Sequence, residues 1–124
     1  MNRLMLGIAV GAAIIAPAQA IACNGGLITQ YNAEISRQDT RNSSGTRLTS
    51  LGTILQQDRA NVHRFGRADN GDGHDDFFGS AENRALIPRW LHDVEPSAAA
   101  RIRAGAGGYI TVEVYQGCID VLSF

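Results

Sequence analysis

Residues 67–78, RADNGDGHDDFF, gather four aspartates, a histidine and three turn formers into twelve positions. Carboxylate, amide and carbonyl oxygens at alternate positions of a tight turn are the donor set a hard cation such as Ca2+ requires. With Gly73 at the sharp turn, the ligands would be Asn70, Asp72, Asp76 and the main-chain carbonyl of His74. Ala68 stands where such a loop needs its first acid, and Gly79 where it needs its last.

The stretch NGDGHDD, 70–76, resembles the middle of an EF-hand or dockerin-type calcium loop, over those seven residues. The resemblance implies a helix on each side and, with both end ligands lost, an affinity of about millimolar order. A plainer reading also accounts for the residues. Asn-Gly and Asp-Gly are strong turn dipeptides, and flanking acids keep a loop solvated. We take the stretch chiefly as a solvated connection between helices, with weak Ca2+ binding as the alternative and no other cofactor expected.

A second residue stands out on the helix expected at 47–65, where Leu48, Leu51, Ile54, Leu55, Val62 and Phe65 form an apolar stripe. Asp58 projects into that stripe, and an unpaired buried charge is costly. A structural ion pair is therefore expected, with Arg84 on the following helix as the chosen partner, and Asp58→Ala should cost about 3–5 kcal/mol. His63 and His92 have no partner at metal-ligand spacing, and the chain has no HExxH, GxSxG, P-loop or dinucleotide fingerprint. A hydrolytic centre on His63, His74, Asp75 and Asp76 is conceivable, but no pattern specifies it, and no catalytic residue is assigned.

These residues need elements to hold them. Residues 27–36 put Leu27, Ile28, Tyr31 and Ile35 at helical spacing, with a strand as the alternative. Thr46 or Thr49 can cap the long helix, and Gly66 suits its left-handed stop. Ser80 can cap AENRALI, Pro88 can open PRWLHD, and Pro96 can open PSAAARIRA, which ends at GAGG. At the C-terminus Ile110, Val112 and Val114 alternate with polar or aromatic residues as in a half-buried strand, and Gln116-Gly117 turns into CIDVLSF. The expected fold is a small single α+β domain: several short helices, then a C-terminal antiparallel β-hairpin, with one disulfide.

The first twenty residues, MNRLMLGIAVGAAIIAPAQA, have the charge, apolar core and Ala18-Gln19-Ala20 ending of a secretory signal peptide, which leaves 21–124 as one exported domain. The apolar core is shorter than the about 20 residues a membrane span requires. In an exported chain the two cysteines, Cys23 and Cys118, are expected to form a disulfide. The formal charge of −1 becomes −2 once Arg3 is removed, and gives no nucleic-acid footprint. Small size, one staple and no catalytic pattern favour a periplasmic or secreted binding or accessory module, inhibitor-like in character, whose partner is a protein or envelope component. The rival readings are a weak calcium-binding module using 68–79 and a small hydrolase with Asp58 or His63 as acid–base.

Overall fold

The computed structural model describes residues 23–124, so the expected signal peptide lies outside the described residues. Its elements are β1 (Leu27–Ile35), α1 (Leu51–His63), α2 (Ala81–Arg84), α3 (Ile87–Trp90), β2 (Leu91–Val94), α4 (Pro96–Ala104), β3 (Gly108–Tyr115) and β4 (Cys118–Ser123). Single 3-10 turns follow β1 at Arg37–Thr40 and precede α2 at Phe77–Gly79.

The α+β class stands, but the strands are more than a terminal hairpin. β3 and β4 do pair antiparallel, and they form the middle of a four-stranded mixed sheet of order β1-β3-β4-β2. β1 joins β3 antiparallel, and β2 joins β4 in parallel. Two local readings change accordingly. The segment 27–36 is a strand, because Tyr31, Ala33 and Ile35 are buried with period two and the helical stripe passed over the small Ala33. PRWLHD divides after Trp90: Leu91–Val94 leaves the helix to pair with β4.

α1 is shorter than the apolar stripe suggested. Leu48 N–H donates to the Thr40 carbonyl (2.7 Å), and Arg41 pairs with Arg47 in an isolated bridge, which holds 47 and 48 outside the helix. Ser50 caps instead, its hydroxyl accepting from Thr53 N–H at 3.3 Å. Beyond His63 the chain turns at Gly66, whose φ of +61° is the left-handed stop expected there. α4 runs from Pro96 to the left-handed Gly105, as its end signals indicate.

One face of the sheet carries the core. Ile35, Ile110, Val112, Val114, Ile119 and Val121 meet Ile54 and Leu55 of α1, Ile87 of α3 and Ile102 of α4, with Phe78 between. α1 lies so close to α3 that a Cβ at Gly52 would stand 2.7 Å from Pro88 Cα. Any larger residue there would push the two helices apart. Cys23 and Cys118 are disulfide-bonded, with Cα atoms 5.7 Å apart, tying the segment before β1 to the start of β4. No helix among the described residues is long and apolar enough to cross a membrane. The disulfide and that absence are both compatible with an exported protein.

Candidate functional site

The inner face of α1 changes character along its length. Gly52, Ile54 and Leu55 are buried in its first turns, and Asp58, Arg59 and Asn61 are buried in its last. Asp58 is 0% exposed, as its place on the stripe predicts, but its partner is the next residue rather than Arg84. Arg59 Nε donates to Asp58 Oδ2 at 2.8 Å, and its Nη1 donates to Asp75 Oδ1 (2.8 Å) and the Gly73 carbonyl (2.9 Å). Asp72 Oδ1 lies 3.6 Å from Nη2, and the Tyr31 ring centroid 4.0 Å from Arg59 Cζ, within cation–π range. Arg84 instead donates to the carbonyls of Phe78 (3.0 Å) and Gly79 (3.1 Å).

One guanidinium thus faces three carboxylates in a dry setting. Burial pushes the Asp58 carboxyl well above its usual range; Arg59 opposes this, and Asp72 and Asp39 add to it. Burial also works to raise Asp75, but hydrogen bonds with His63, the Phe78 N–H and Arg59 prevail and hold it below the usual value. Burial thus biases Asp58 toward its neutral form, while its hydrogen bonds bias Asp75 toward the carboxylate. Among the described residues, Asp58 Oδ1, Arg59 Nη2 and the Tyr31 hydroxyl have no hydrogen-bond partner.

The opening loop is organised by its own acids. Asp72 accepts from the N–H of Glu34 (3.0 Å) and of Asp69 (2.7 Å), and Asp69 accepts from the Ser36 hydroxyl (2.7 Å). Gly73 N–H donates to the Asn32 carbonyl at 2.7 Å. Gly73 has no positive φ; its missing side chain permits this approach, since a Cβ would stand 3.0 Å from that oxygen. Asn70 is exposed, and His74 is exposed and pairs with Asp76 at 2.9 Å. The Asp72 side chain is 0% exposed and that of Asp76 fully exposed, so these two candidate ligands face opposite environments. His63 Nε2 lies 3.0 Å from Asp75 Oδ1, and the His63 and His74 ring centroids are 5.7 Å apart.

Arg59 escaped the sequence reading, although it lies four residues from both Leu55 and His63 on the same helical side. Asp39 and Asn61 escaped it too. Asn61 donates to Asp39 Oδ1 at 2.8 Å, while the N–H of Ser36 donates to Oδ2 at 2.9 Å. Burial, aided by Asp69, pushes the Asp39 carboxyl up to about 7 against those two hydrogen bonds. Between 3.8, its unperturbed value, and about 7 the folded chain keeps a proton that the unfolded chain has lost, so stability falls as pH rises through this window. Denaturant unfolding from pH 4 to pH 7 should show a loss of about 3 kcal/mol from this group. Asp39→Asn, which mimics the protonated acid, should remove that share of the slope; Asp58, shifted the same way, keeps its own. An unchanged slope in the variant would refute the assignment.

On the outer face of α1 the chemistry reverses. Two adjoining hollows of about 340 and 370 Å3 share Asn42, Ser43, Gln57 and Phe65. Arg64 and Arg84 border the first, Arg41 and Arg67 the second, and among the described residues no acid lines either. Arg64 Cζ lies 5.1 Å from the centroid of Phe65, which is 37% exposed. The wall opposite α1 is a tight turn in which Asn42 Oδ1 accepts from the N–H groups of Ser44 and Thr46. Among the described residues no arginine other than Arg59 meets an Asp or Glu carboxylate at ion-pair distance. Comparison with known proteins finds no matching family model, no matching curated protein and no matching solved structure.

Proposed function

We propose that the protein is an exported binding module that takes an acidic, extended segment of a partner protein into the double hollow along α1. The observation that carries this reading is the segregation of charge. The acids near α1 are turned inward to serve Arg59, Ser36 and main-chain N–H groups, and the arginines around Phe65 have no acidic partner among the described residues. Arginine forks match carboxylates in two-point hydrogen bonds, amide side chains of Gln57 and Asn42 suit a peptide backbone, and an exposed aromatic ring supplies an apolar anchor. The formal charge of −1 conceals this, because several of the counted acids lie inside the fold.

The test is fluorescence anisotropy with a labelled oligo-glutamate peptide at low ionic strength. Binding should weaken as salt is added. Arg64→Ala with Arg67→Ala should reduce affinity at least tenfold, and Phe65→Ala should reduce it without changing the salt dependence. Affinity indifferent to the paired arginine change, or no binding at all, would reject the reading.

A further inference from the structure

The far edge of the sheet holds a second cluster that the groove does not involve. β2 and β4 run parallel, and their register slips between Leu91↔Ile119 and Asp93↔Asp120, leaving His92 as the extra residue. A bulge of this kind re-aims a side chain, and His92 Nδ1 comes 3.2 Å from Asp120 Oδ1. On β4, Cys118 and Asp120 share the face opposite Ile119 and Val121, which enter the core. The disulfide brings Cys23 over the same spot, where its N–H donates to Asp120 Oδ2 at 3.3 Å. One ligand atom from each of Cys23, His92, Cys118 and Asp120 lies within 4.8 Å of the other three. The His92 side chain is 37% exposed and that of Asp120 17%, so an ion can reach them from solvent.

We propose that these four residues form a redox-gated zinc site, closed as a disulfide in the oxidised chain and opened by a dithiol reductant. In the opening step the reductant's two thiols become its disulfide, and Cys23 and Cys118 each gain one hydrogen. Zn2+ then displaces the two thiol protons and is held by two thiolate sulfurs, His92 Nδ1 and one Asp120 oxygen. Zinc bonds of about 2.0–2.3 Å place tetrahedral ligand atoms about 3.6 Å apart. The cluster reaches that size when the sulfurs part from bonding distance and the other donors draw in. The ion would then replace the disulfide as the tether between residue 23 and β4.

The full chain reduced with a phosphine, which adds no competing thiol, is titrated with Zn2+ by calorimetry and with Co2+ by visible absorption. One ion per chain should bind, with the intense cobalt bands of a tetrahedral site and a thiolate-to-cobalt charge-transfer band; the oxidised chain should show neither. His92→Ala and Asp120→Asn should each weaken binding at least tenfold. Their folding is checked independently in the oxidised state by circular dichroism. If reduction loosens the wild-type fold, zinc should restore the folded spectrum, because metal binding and folding are coupled. Equal zinc affinity in wild type and both variants, an octahedral cobalt spectrum, or a reduced chain that neither binds nor refolds with zinc would overturn the proposal.

Discussion

Arg59→Met should be the most damaging single substitution in the chain, costing about 3–5 kcal/mol or more. The methionine fits the volume but strands Asp58 and Asp75, both 2.8 Å from the guanidinium, with Asp72 close behind. For a domain whose total stability is about 5–15 kcal/mol, that loss removes from about a fifth to all of the margin that keeps the chain folded. The charge explanation has its own check. Asp58→Asn alone should be mild, because burial already biases Asp58 toward its neutral form. Adding Asp75→Asn to Arg59→Met should recover part of the loss, since one stranded charge is gone. Chemical denaturation of the four proteins decides the matter. An Arg59→Met protein as stable as wild type would mean that the cluster contributes nothing to folding.

The second large effect is expected from removing the disulfide. The bridge closes a sequence separation of 95 residues, and in the chain-entropy model its loss costs about 4–5 kcal/mol. At roughly 4 °C or more per kcal/mol for a domain of this size, Cys23→Ser with Cys118→Ser should melt about 15 °C or more below wild type. The change also frees the segment that places the Cys23 N–H on Asp120, so hydrogen exchange should rise first at the start of β4. A double variant melting within a few degrees of wild type would contradict the entropic account.

Some of this protein was legible residue by residue. Two cysteines allow one internal pairing, and that pairing is present. Alternation at Ile110, Val112 and Val114 gave β3 and its buried face, and Pro96 and Gly105 bounded α4, because periodicity and end signals act over one or two turns of chain. The burial of Asp58 followed from the same arithmetic on α1. Its partner did not. Arg84 was the plausible cation on the next helix, but Phe78 and Gly79 present carbonyls to it first, while Arg59 reaches Asp58 along its own helix. The identities of β1 and β2 likewise came from β3 and β4, whose free edges supply the hydrogen bonds that a locally ambiguous segment lacks. Helical spacing in LITQ and a proline-led start in PRWLHD could not anticipate those edges. The candidate sites lie at the same level. The hollow around Phe65 needs the 41–46 turn to stand against α1, and the Cys23, His92, Cys118 and Asp120 cluster needs a bulge where two parallel strands slip register. Local chemistry decides which groups are buried and where elements end; the distances between groups far apart in the chain, and so their partners, exist only once the elements are packed.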